Sequence, residues 1–156
     1  MTLDLDFSKL SGTDVLDMAI AIENEAVVYY EQLADWVSDG DPNVRKFFGR
    51  MAGLEKRHRD QIVAERERLF GDAPTSNAEK VSWAVEMPDF DKVPNDATLR
   101  QAFQVALESE TRAYDFYAGA LDYVMDEKIA ALFEDLKLAE AQHRRLLLEE
   151  MERMGA

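Results

Sequence analysis

Four stretches of this chain repeat apolar residues at intervals of three and four, and each sets one glutamate in the middle of its apolar stripe. Glu23 is flanked by Leu16, Ala19, Ile20, Ala26, Val27 and Tyr30, and Glu110 by Phe103, Ala106, Leu107, Ala113, Tyr114 and Tyr117. Glu55 sits among Phe48, Met51, Ala52, Ile62 and Val63, and Glu140 among Phe133, Leu136, Leu147 and Leu148. A helix buries its apolar stripe, so each acid is carried inward, where an ionised carboxylate is costly unless it meets a partner. The pattern predicts an all-α bundle of four helices whose acids meet around something positive.

The chain's only two histidines follow two of these acids by three residues, in Glu55-Lys56-Arg57-His58 and Glu140-Ala141-Gln142-His143. Residues three apart share a helix face, so each pair can offer a carboxylate oxygen and an imidazole nitrogen to a single ion. Two such pairs suggest two metals. Four carboxylates balance two divalent cations, whereas an empty centre would press like charges together in a poorly solvated core. The competing reading is a structural one, in which the six side chains satisfy one another as a buried polar network.

The helices are expected over about 13–37, 43–70, 96–124 and 127–154. Ser11 or Thr13 can cap the first, and Ser38-Asp39-Gly40-Asp41-Pro42 has turn chemistry with a proline suited to the next helix's first turn. Gly71 ends the second helix, Asp96 begins the third, and a break near Met125-Asp126 opens the fourth. The two hairpins repeat one another. An offset of 87 residues carries Glu23 onto Glu110, Ala19 onto Ala106, Tyr30 onto Tyr117 and Asp35 onto Asp122; an offset of 85 carries Glu55 onto Glu140, Phe48 onto Phe133, His58 onto His143 and Arg59 onto Arg144. A hairpin turn of different length is expected to absorb the two-residue difference. Between the hairpins, residues 71–95 hold Pro74, Pro88 and Pro94 with Trp83, Val85, Met87 and Phe90. So long a connection suits a bundle whose second and third helices run parallel, with these apolar residues packed over it. Ser76 and Glu79 have capping-box spacing, which predicts a short helix over about 77–85. At 156 residues the whole chain, 1–156, is expected to be a single domain burying about two thirds of its unfolded surface.

A net charge of −14 disfavours nucleic acid and anionic membranes as partners, and most of the acids are expected to keep the surface solvated. With no cysteine there is no disulfide, thiolate iron site or thiol nucleophile. The start of the chain, Met1-Thr2-Leu3-Asp4-Leu5-Asp6, lacks the basic and apolar regions of a secretory signal, and no apolar run approaches about 18 residues; a cytoplasmic location is expected.

With Glu23, Glu55-x-x-His58, Glu110 and Glu140-x-x-His143 in place, the chain resembles a ferritin-like protein of the rubrerythrin type from about Thr13 to Met154. The resemblance implies a di-iron carboxylate centre in which Glu55 and Glu140 bridge two iron ions, Glu23 and His58 complete one ion, and Glu110 and His143 complete the other. Manganese or zinc would accept the same donors. The implied activity is an oxidoreductase one, in which ferrous iron is oxidised by O2 or H2O2 and re-reduced by an external electron donor. It also implies a catalytic role for Tyr30 and Tyr117, either hydrogen-bonding the metal-binding acids or relaying an electron; the alternative is a pair of ordinary core aromatics. Glu25, Glu31 and Glu108 are read as bland surface acids, with Glu108 able to pair with Arg112, and Arg59 and Arg144, which follow the histidines, as balancing surface acids rather than acting on substrate.

The chain also departs from that pattern. It lacks the thiolate iron domain of full-length rubrerythrins, and Ala113 stands where they carry an additional glutamate. It ends just after the fourth helix, where cage-forming relatives add a fifth, so a homodimer or small homo-oligomer is expected. Two other functions fit the same residues: iron handling without turnover, and a helical interaction module with a structural metal.

Overall fold

The computed structural model describes residues 6–37, 41–74 and 98–155. Among them there is no strand. A short 3-10 turn, Phe7–Lys9, leads into α1 (Gly12–Trp36), followed by α2 (Pro42–Phe70), α3 (Leu99–Leu121) and α4 (Glu127–Met154). None of these helices is long and apolar enough to cross a membrane.

Local chemistry fixes the helix ends. Ser11, rather than Thr13, caps α1 in a reciprocal box: its hydroxyl accepts from the Asp14 amide and its own amide donates to the Asp14 carboxylate. Asp41 caps α2 ahead of Pro42, and Gly71 ends that helix at a φ of 56°. The third helix starts at Leu99, later than expected, because Thr98 and Gln101 form a second capping box. It stops at Leu121, also earlier than expected. Five residues separate the helices in both hairpins, so the two-residue difference between the repeats comes from the shortened end of α3 and not from a longer turn. The proposed helix over 77–85 and the apolar residues of the crossover lie outside the described residues.

Two apolar clusters fill the interior. One joins the end of α1 (Tyr30, Leu33) to the starts of α2 (Phe48) and α3 (Phe103) and the end of α4 (Leu147). The other joins the start of α1 (Leu16), the ends of α2 (Ile62) and α3 (Tyr117) and the start of α4 (Phe133). Consequently α1 runs opposite to α2 and α3, and α2 runs parallel to α3, as the long crossover requires. The stripes are narrower than the sequence suggests. Val63 and Leu148, equivalent under the repeat, are 42% and 50% exposed, because each lies beyond the arc of its helix that neighbours cover.

Candidate metal centre

The layer between the two clusters is polar. Glu23, Glu55, Glu110, Glu140 and His143 are all buried there, and His58 is nearly so. All six side chains expected to meet do meet. Glu23, Glu55, His58 and Glu140 bring ligand atoms within 4.8 Å of one another, and Glu55, Glu110, Glu140 and His143 do the same. Glu55 and Glu140 belong to both sets.

Their oxygens divide accordingly. Glu55 turns Oε2 toward His58 Nδ1 (3.8 Å) and Oε1 toward His143 Nδ1 (2.7 Å). Glu140 turns Oε1 toward His58 (3.8 Å) and Oε2 toward His143 (3.8 Å). Glu23 Oε2 lies 3.9 Å from His58, and Glu110 Oε2 lies 3.4 Å from His143. The imidazoles stack with ring centres 5.3 Å apart and planes 10° from parallel.

The outer acids are held crosswise. Tyr30 of α1 donates its hydroxyl to Glu110 Oε1 of α3 at 2.6 Å, and Tyr117 of α3 donates to Glu23 Oε1 of α1 at the same distance. One oxygen of each outer acid is thus fixed by the opposite hairpin, leaving the other aimed at the centre. Sequence spacing placed each tyrosine two turns beyond an acid of its own helix; only the packing of α1 against α3 reveals the exchange of partners.

Burial dominates the electrostatics. It pushes the Glu23 and Glu140 carboxyls well above the ordinary range, with neighbouring acids adding to the effect, and it raises Glu55 with help from the Glu110 charge. Burial opposes ionisation of Glu110 too, but contacts with Glu140, His143 and Tyr30 hold that carboxyl below its ordinary value. His58 is lowered, chiefly by burial. His143 is disfavoured by burial as well, yet its contacts with Glu110 and Glu55 prevail and push it up to about 10. Glu23, Glu55, Glu140 and His143 are thus all shifted toward their protonated forms, the response expected of acids crowded together in a poorly solvated layer.

The donor set fits metal ions. Both oxygens of Glu55, Glu110 Oε2, Glu140 Oε1 and the Nδ1 atoms of His58 and His143 are buried without a hydrogen bond. His143 Nδ1 and Glu55 Oε1 approach closely but are not aligned as donor and acceptor. Atoms crowded together yet not bonded to one another are oriented for a third body, and carboxylate with imidazole suits iron, manganese or zinc.

The polar residues around this layer divide less simply. Glu108 is exposed, as expected, but Arg112 is buried, in the fields of Glu25 and Glu108. Glu31 meets Lys56 at 3.5 Å, Arg59 bonds Asn24 and Asp60, and Arg144 is exposed. Phe7, which lies ahead of the first helical repeat, is buried against Phe116 although no helical spacing points to it.

The Rubrerythrin family model matches residues 14–151. A hypothetical protein from Pyrococcus furiosus is similar in structure, with TM-score 0.74, 21% identity and coverage of 95% of this chain and 94% of that one. An uncharacterized conserved protein from Magnetospirillum magnetotacticum MS-1 has TM-score 0.70 and 25% identity over 92% of this chain and 95% of that one. The bacterioferritin-related protein of Bacteroides fragilis, described as a dodecameric thioferritin, has TM-score 0.74 and 22% identity over 97% of this chain and 90% of that one. None of the curated proteins matches. With a ferritin-like four-helix bundle, a carboxylate and histidine cluster at its middle and a family match over most of its length, the chain belongs to the rubrerythrin family.

Proposed function

We propose that the chain acts as one ferritin-like domain, 1–156, holding two iron ions and oxidising ferrous iron with O2 or H2O2 in the cytoplasm. The observation that carries this reading is the set of buried, unbonded donor atoms converging from four helices. In this assignment Glu55 and Glu140 would be shared by the two ions, Glu23 with His58 would complete one, and Glu110 with His143 would complete the other. Bound iron would supply the electrons that reduce the oxidant. The chain's own residues do the rest. Tyr30 and Tyr117 hold the outer acids in position, and the apolar clusters above and below keep bulk water from the reacting layer.

Metal analysis, followed by anaerobic loading with ferrous iron and exposure to air, tests the assignment. Two irons per chain and a ferric absorption band that grows on aeration are expected. Glu55→Ala should lose both ions and His58→Ala one; full iron content in Glu55→Ala would overturn the bridging role. A second reading, iron handling without turnover, is favoured by the unequal histidines, since the His58 side chain is 13% exposed and that of His143 only 4%. Release of iron to a chelator faster than its oxidation in air would select it.

We also propose a homo-oligomer. The dodecameric state described for the Bacteroides fragilis protein and the exposed Val63, Leu138 and Leu148 support it. Light scattering on the purified chain gives the mass directly, and a monomer at working concentration would refute it.

A further inference from the structure

A centre that passes electrons to an oxidant has to be refilled, and the two tyrosines that touch its acids lie in different surroundings. Around Tyr30 stand Tyr29 and Phe48, with Phe47 and Phe103 beyond, and all of these rings are buried. Tyr117 instead begins a line of rings that reaches the surface. It meets Phe116 edge-on at 5.5 Å, Phe116 meets Phe7 at 5.5 Å, and Phe7 stacks on Tyr123 at 6.0 Å with planes 20° apart. Tyr123 is 51% exposed. The inner end of the line donates to Glu23, so it runs unbroken from an acid of the centre to solvent. Electron tunnelling weakens exponentially with the gap between orbitals. Successive ring contacts keep each gap short, and the tyrosines at the two ends are its easily oxidised members.

The outer end borders a cavity of about 270 Å³ lined by Phe7, Val15, Phe70, Tyr123, Val124 and Ile129. Two glycines let rings lie against helix backbone there: a Cβ on Gly119 would stand 2.7 Å from the Phe7 ring, and one on Gly12 would stand 2.6 Å from the Phe70 ring. Two polar side chains at the rim are already engaged. Ser11 caps α1, and Asp126 accepts from the Ile129 amide and from Arg68. Among the described residues that line the cavity none is cationic, whereas flat apolar walls beside a stacked pair of rings suit a neutral conjugated ring.

We propose that this cavity receives a small neutral hydroquinone, whose electrons pass through Tyr123, Phe7, Phe116 and Tyr117 to the metal centre. The proposal rests on the di-iron reading. Each hydroquinone becomes a quinone, its two electrons return two ferric ions to the ferrous state, and its two phenolic protons leave to solvent at the cavity mouth.

The test uses 2-methyl-1,4-naphthoquinone and its hydroquinone, which can form no thiol adduct with a cysteine-free chain. Binding of the quinone to metal-free protein is read by quenching of intrinsic fluorescence, with Val124→Trp as a cavity-filling variant. Saturable binding that Val124→Trp abolishes is expected; absent or non-saturable binding, or binding that survives that substitution, overturns the proposal. On ferric-loaded protein, anaerobic reduction by the hydroquinone should slow by an order of magnitude or more in Tyr123→Leu and in Gly119→Ala, which displaces the Phe7 ring. Iron content, oxidation in air and reduction by dithionite should be unchanged in both. Equal hydroquinone rates in wild type and both variants would refute the route. A chain that binds no iron, or whose iron does not oxidise, would instead refute the di-iron reading, and the binding measurement on metal-free protein separates the two failures.

Discussion

Glu23 illustrates how one carboxylate can serve two neighbours: Oε1 accepts from Tyr117 while Oε2 faces His58. Removing the hydroxyl in Tyr117→Phe leaves a buried oxygen without its donor, which should cost about 1–3 kcal/mol in urea denaturation of the metal-free protein. Tyr30→Phe, which strips Glu110 in the same way, should cost a similar amount. If Tyr117 and Tyr30 were only core aromatics, both substitutions would be close to neutral. The family resemblance offered contact with the acids as one reading of these tyrosines beside a plain core role, and two turns of separation along one helix said nothing of the partner across the bundle.

Helix ends and faces show where local patterns suffice. Ser11→Ala should destabilise by about 1 kcal/mol, because it removes one half of a reciprocal cap. Calorimetry on the variant would check it, and an unchanged midpoint would mean that packing alone holds α1. The four helices, the parallel course of α2 and α3, and the six converging side chains were legible because a period near 3.6 and a buried charge each permit few solutions. Val63 and Leu148 were misjudged because periodicity gives the direction of a stripe but not how far a neighbour wraps around it. The third helix is shorter at both ends than its periodicity suggests, since Thr98 and Gln101 cap its start and the chain turns after Leu121. Phe7 lies outside the helical repeats, and its place in the core depends on Gly119, more than a hundred residues away.

At the scale of the whole molecule the polar layer makes stability depend on pH and on metal. The raised carboxyls of Glu23, Glu55 and Glu140 contribute stability to the metal-free protein below their ordinary value of 4.5, and that contribution is lost as pH rises through their folded values. His143 contributes below its ordinary 6.5 and loses that contribution as pH rises through about 10. The lowered Glu110 and His58 act oppositely, giving stability at higher pH that is lost on acidification. The first group is larger, so the denaturation midpoint of chelator-treated protein should fall between about pH 6.5 and 10. Loading should reverse that trend and release protons, which pH-stat titration with ferrous iron under anaerobic conditions would count. Metal at a hundredfold excess over its dissociation constant should add about 2.7 kcal/mol, and a melting temperature indifferent to chelation would exclude a structural contribution from bound ions.

The exchanged tyrosines also bear on ancestry. Since each hairpin supplies the hydroxyl that steadies the other's outer glutamate, neither half can complete a centre alone. Two identical halves related by a twofold axis could, because the swap is reciprocal. A half-length chain pairing with its own copy would therefore possess the full ligand set, whereas a fused chain need not keep its halves alike, and here the His58 side chain is more exposed than that of His143.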